Sequence, residues 1–237
     1  MRTEFDGIVI EDQQTVREAV YCQNLNVKGF ANFTMWVEAD YVEIGGEACF
    51  DSYITCDKIT VRNRCVCKNT LLTTSLRVMG DMAVYGKIDA EVIIVGGRLK
   101  FRNTLRTSVL SVGTNAIVKG SGKLKASRCS VNGMLLNSGV INTYDFSINS
   151  SDTSRIQEIR TDKFKVRESY DKNKEEQEYL LICDFVDCFT ADIEKCKIDQ
   201  LYCDRAVIRK GCVINEVLYR DNIEIEPGAH VERLSKA

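Results

Sequence analysis

One phrase recurs at a fixed interval along this chain: an aliphatic residue, any residue, Val or Ile, then two residues that mostly end in Gly or Asn. LNVKG begins at Leu25, VEIGG at Val42, ITVRN at Ile59, LRVMG at Leu76, IIVGG at Ile93 and LSVGT at Leu110, each 17 residues after the last. Such a period decides the architecture before any local propensity does, because each unit has to bury its apolar face against the next. Rows of 17 also start at Ile8 and, after steps of 19, 17 and 18, at Cys129, Phe146 and Phe164. The third column of this grid is β-branched throughout: Ile10, Val27, Ile44, Val61, Val78, Val95, Val112, Val131, Ile148 and Val166.

Other odd columns are apolar or small. The seventh reads Ala31, Ala48, Cys65, Met82, Leu99 and Ala116; the ninth reads Phe33, Phe50, Cys67, Val84, Phe101 and Val118. The thirteenth is Val37, Ile54, Leu71, Ile88 and Leu105, and the fifteenth is Ala39, Cys56, Thr73, Ala90 and Thr107. Even columns are mostly polar, so the period within a row is two, the signature of strands with one buried face. Gly or Asn falls in column five (Gly29, Gly46, Asn63, Gly80, Gly97) and in column eleven (Asn69, Gly86, Asn103, Gly120). Both residue types tolerate positive φ, which suits corners between short strands. Three short strands per row, stacked row upon row, make an all-β fold: a parallel β-helix whose coils rise by the ~4.8 Å strand spacing.

The regular coils are expected over residues 1–166. A charged loop without periodicity, RESYDKNKEEQE from Arg167 to Glu178, interrupts them over 167–180, and less regular coils follow over 181–237. Whether those coils continue the first stack is open at this point. With 32 basic and 34 acidic residues, no bulk field favours nucleic acid or anionic lipid. No apolar run approaches a membrane span and the start MRTEFDGIVIEDQQ has no apolar signal region, so a cytoplasmic protein without a transmembrane segment is expected. In that compartment the eleven cysteines read as small buried apolar residues rather than disulfides.

Nothing in the pattern assigns catalysis, a cofactor or a metal. Hexapeptide-repeat acyltransferases share the scaffold but step by ~18 residues and use a histidine base; this chain has one histidine, His230. Three-histidine zinc enzymes are excluded by count. Carbohydrate-cleaving β-helix enzymes need a carboxylate cluster, and Asp and Glu here are scattered over outward columns. Cys65 and Cys67 both fall in inward columns, and Cys183, Cys188, Cys196, Cys203 and Cys212 form no C-x-x-C pair. GSGK at Gly120–Lys123 lacks the spacing and the Ser/Thr of a phosphate loop; the two extra residues of that row account for its glycines as a corner bulge.

With the columns in place, the stacked rows LNVKG, LRVMG and CSVNG, each followed by small and β-branched residues, resemble those of the bactofilins, polymer-forming cytoskeletal proteins of bacteria. The ending KGCVINEVLYRDNIEIEPGAHVERL, Lys210 to Leu234, is similar to that of the longer Gram-positive members. The likeness runs from about residue 8 to 234, and the chain departs from the family pattern in its greater length and its charged break. The resemblance implies a right-handed β-helix that self-associates end to end into filaments without nucleotide. It further implies a scaffold role in the bacterial cytoplasm, with copies of itself and other cell-envelope or shape proteins as partners, through which it associates with the membrane. Two alternatives stand beside it: a non-polymerising β-helix module that binds a protein or glycan, and, more remotely, a β-helix enzyme. The candidate assembly edge is the alternating run Ile223, Ile225, Val231 and Leu234, beyond which Ser235, Lys236 and Ala237 are too few to cover a β-helix cross-section. At the other end, Ile10, Val16, Val20 and Cys22 point inward, whereas Gln14 takes an apolar column, as a terminal coil should show.

Overall fold

The computed structural model describes residues 5–169 and 177–237. Among these there is no helix; 21 strands form a parallel β-solenoid of about 13 turns. Each coil pairs in parallel with the one before and the one after, and the partner of a residue is 17 positions away through most of the first half: Ile44 with Val61, Val61 with Val78, Val78 with Val95. The backbone groups of one coil are therefore satisfied by its neighbours, and side chains of one column stack along the axis.

A coil has three sides. Side A holds the phrase itself, as in Leu25 and Val27; side B holds Ala31 and Phe33; side C holds Val37 and Ala39. Sides C and A share one eight-residue strand, such as Val37–Ile44, bent at its centre where two exposed residues follow each other (Asp40, Tyr41). Side B is a separate four-residue strand, such as Phe30–Phe33. The third column is buried from Ile10 to Ile208. On side B the Phe33 and Phe50 rings stack 4.8 Å apart and within 5° of parallel, which the in-register pairing of their strands enforces.

The fifteenth column is small because the chain turns there. Thr107 donates its hydroxyl to the Glu91 carbonyl of the previous coil (2.9 Å) and to its own Val109 carbonyl (3.0 Å). Thr73, Thr143 and Thr161 repeat the pattern. A larger apolar side chain would leave these bent-strand carbonyls without a partner.

Two sequence expectations are corrected in detail, and a third gains its register. The glycines of column five do not have left-handed backbones: among the described residues positive φ occurs only at Asn115, Lys195, Gly211 and Gly228. Glycine is needed because coils approach closely; a Cβ on Gly46 would lie 2.0 Å from the Gly29 carbonyl oxygen. Second, the two extra residues of the Leu110 row enter before its side-B strand, not at GSGK. Val95 pairs with Val112, but Leu99 already pairs with Val118, and Asn115, at φ 67°, makes the added turn. Val118 thus takes column seven in place of Ala116, and Gly120 takes column nine, where the Phe101 ring fills the space its side chain would need.

Third, the looser spacing of the later coils resolves into unequal steps: 15 residues from Leu181 to Cys196, 16 from Lys197 to Val213 and 17 from Arg205 to Asn222, with a bulge between Cys203 and Arg205. Leu181 pairs with Cys196 and Ile193 with Ile208, a 15-residue step, with paired inward residues every five positions along Leu181–Ile193 and Cys196–Ile208. In this one step the six-residue corners of the first half are trimmed to five. These coils continue the first stack: Phe164 pairs with Ala191 and Val166 with Ile193. Of the sequence-predicted charged loop, residues 170–176 lie outside the described residues. Its flanks belong to the stack: Arg167 and Glu168 end the strand Ser154–Glu168, and Leu180 is buried, its N–H donating to the Lys195 carbonyl at 2.7 Å.

Candidate assembly edge

The last coil is built from the end of the strand Val213–Ile225 and the strand His230–Lys236. The four residues singled out in the sequence all lie on it. Ile223 and Ile225 end columns one and three of side A, opposite Ala206 and Ile208. Val231 ends column nine on side B, opposite Ile214, and Leu234 ends column thirteen on side C, opposite Val217. One apolar residue or pair therefore faces the axis from each side.

Apart from the first coil, every earlier member of these columns is sandwiched between two coils, and the last members have a neighbour on one side only. Ile208 and Val217 are 0 % exposed, but Ile225 is 39 % and Leu234 46 % exposed. Among the described residues nothing lies over them, and 222–225 and 230–236 pair only with the preceding coil. The result is an apolar end surface rimmed by unpaired backbone donors and acceptors, the features that template further strand pairing.

Charge holds this coil in place from outside. Asp192 accepts hydrogen bonds from Arg167 and from Arg209 Nε (2.9 Å), and Arg209 donates a further bond to Glu226 of the last coil (2.5 Å). Burial raises the Asp192 carboxyl, but the two guanidinium groups outweigh it and hold the carboxyl below its usual range. A chain of alternating charges thus ties the terminal coil to the three coils beneath it.

The other residues weighed in the sequence do not converge. His230 is exposed on side B, its N–H in the ladder to the Cys212 carbonyl. Cys65 and Cys67 point into the core with their sulfurs 3.9 Å apart. Cys183, Cys196 and Cys212 are buried on side B, and Cys188 and Cys203 sit opposite each other on side C. All eleven thiols are free, and burial pushes those of Cys56, Cys129 and Cys183 up to about 12. Among the described residues no group of three or more His, Cys, Asp and Glu is arranged to hold a metal ion. Among the described residues no helix is long and apolar enough to cross a membrane.

Whole-chain composition concealed one feature, a strong segregation of charge along the axis. Residues 92–144 contain eight Lys and Arg and no Asp or Glu. A running tally by row instead of by chain exposes it.

Comparison of the chain with protein-family models, with curated proteins and with solved structures gives no match in any of the three.

Proposed function

We propose that this protein is a structural scaffold that associates with copies of itself through the apolar end of its last coil. The observation that carries this reading is the exposure of Ile225 and Leu234 in columns whose earlier members are fully buried. A second coil laid on that surface extends both the apolar columns and the backbone ladder, so the contact is the fold's own internal contact repeated between chains. Two such ends meeting about a two-fold axis are self-complementary, and an end meeting the opposite end of another copy propagates a filament. Neither mode draws on nucleotide, in keeping with the bactofilin-like rows. The cytoplasmic scaffold role, with cell-envelope or shape proteins as further partners, is part of the same proposal.

Negative-stain electron microscopy of the purified protein tests it directly, with light scattering of Ile225→Lys and Val231→Lys alongside. Unchanged circular dichroism with smaller assemblies supports the edge. Wild-type protein that stays monomeric at high concentration refutes it.

A further inference from the structure

Charge that balances over the chain is sorted along the rod. Around the acid-free stretch 92–144, residues 1–91 carry nine bases against fourteen acids, and residues 145–237 carry fifteen against twenty. In a solenoid each coil advances one rung, so a stretch of sequence becomes a band of the rod. On side C the bands open into grooves. The first is lined by Asp6, Glu38, Asp40 and Asp57, with no Lys or Arg in its wall. The next groove along the axis contains Arg106, Lys123 and Lys125, with no Asp or Glu.

The basic groove is costly as it stands. Arg106 and Lys125 are directly opposite on neighbouring strands, a placement of like charges that destabilises a sheet unless something negative lies against it. Residues 92–144 supply no acid; Asp89 stands opposite Arg106 on the coil before but is engaged by Lys87 at 2.7 Å, and Lys125 has Asn142 on its far side. The acidic groove is centred on the Ala39 and Cys56 coils and the basic one on the Thr107 and Ala126 coils. These are four coils apart, about 20 Å along the axis at the strand spacing. A third groove on this side mixes both signs, Asp162, Asp187 and Asp204 with Arg160 and Arg220, so the N-terminal groove is the complement.

We propose that two copies of this chain pair side by side and antiparallel along side C, the acidic groove of each lying on the basic groove of the other. A two-fold axis midway between the grooves superposes opposite charges at both places at once, which makes the surface self-complementary and the pair closed. Leu72, 38 % exposed at the edge of the acidic groove, lies close to that axis. A nucleic acid or anionic membrane would satisfy the basic groove but meet repulsion ~20 Å away; a second copy satisfies both. This surface is separate from the terminal coil and does not depend on it.

The test is sedimentation velocity at ~10 mM and ~1 M salt, where the screening length changes from about 30 Å to about 3 Å. Two charge-reversed variants are compared with wild type, Lys123→Glu/Lys125→Glu and Asp40→Lys/Asp57→Lys, each checked for folding by circular dichroism. All of these positions point outward, and the same set is repeated in a Leu234→Lys background. Wild type should pair at low salt and separate at high salt. Each reversed variant alone should pair about 100-fold more weakly or not at all, and an equimolar mixture of the two should form a one-to-one pair. A mixture that stays unpaired, or reversed variants that pair like wild type, overturns the proposal. So does wild type that never pairs but binds a single-stranded oligonucleotide through Lys123 and Lys125. Assemblies that survive ~1 M salt belong to the apolar terminal coil, and those lost belong to side C.

Discussion

Replacing Val78 by Asp puts a carboxyl at the centre of the most regular column, between Val61 and Val95, at a site 0 % exposed. The loss has three parts. Removing a buried valine costs about 1.5–3 kcal/mol of apolar burial. Keeping the introduced carboxyl neutral at pH 7 requires raising its pKa by about three units, or about 4 kcal/mol. Its proton then needs an acceptor that the aliphatic column does not offer, a further ~1–3 kcal/mol. Together these approach the whole stability of an ordinary domain, about 5–15 kcal/mol, and they fall on a coil in the middle of the stack. Thr60→Asp is the control. Thr60 points outward between Glu43 and Arg77 of the neighbouring coils, one repelling and one attracting the new charge, so its effect should stay within about 0.5 kcal/mol. Urea titrations followed by circular dichroism at pH 7 and near pH 4 measure both. The folded-state pKa of the introduced carboxyl is raised, so its penalty is smallest below the unfolded value near 4 and grows as pH rises. Val78→Asp should therefore recover much of the ionisation part, up to about 4 kcal/mol, in acid. If the two variants unfold alike at pH 7, or their gap is indifferent to pH, the inward–outward assignment is wrong.

Three further outcomes follow from particular contacts. Thr107→Val, at a site 6 % exposed, strands the Glu91 and Val109 carbonyls and should lower stability by about 1–3 kcal/mol in the same urea assay, whereas Thr107→Ser should keep most of it. Gly120→Ala would put a Cβ 2.2 Å from Phe101 Cζ and 2.4 Å from Asn137 Oδ1, an overpacking worth about 1–3 kcal/mol; Phe101→Val should relieve the ring's share in a double-mutant cycle and leave the Asn137 contact. The buried thiols of Cys56, Cys129 and Cys183, pushed up to about 12 from 9.0, stay protonated in the fold while unfolded thiols ionise. Their contribution is complete below pH 9 and is lost as pH rises towards 12, so thermal melts should fall steeply across that window. In the folded protein at neutral pH a thiol reagent should reach Cys49 first, the one cysteine that is not buried; rapid labelling of the other ten would contradict the packing.

The regular columns were legible because a parallel stack repeats one local environment, and the same residue types answer it each time. Val27, Val61 and Val95 announce their own register. The inserted turn at Gly113–Asn115 was not legible, since two extra residues fit equally well at either corner of the row. Only the pairing of Leu99 with Val118 decides between them. Glycine posed a different difficulty. Its presence signals either an unusual φ or a close approach, and the letters alone do not separate the two; at Gly46 it is the close approach. The coils after Leu181 step by 15, 16 and 17 residues, so no single period fits them and the letters show them only as less regular. The position of Ile223, Ile225, Val231 and Leu234 on the last coil was legible because the apolar pattern continues to Leu234. The side-C grooves were missed because a charge total of 32 against 34 erases position, which in a stacked fold is the informative quantity.

The junction between Val166 and Leu181 has a practical side. Fourteen residues separate these two positions, yet Val166 pairs with Ile193 as though the chain had merely turned a corner. Height on the rod is thus set by the coil a residue pairs with, and the length of chain between two rungs is free to vary. The connection between Ser169 and Gln177 is a natural graft point: a fluorescent protein or an epitope inserted there would be held at a known rung by its paired flanks, with the ladder above and below intact. A row of such rods would then carry its passengers at evenly spaced stations, a ruler graduated by the assembly itself.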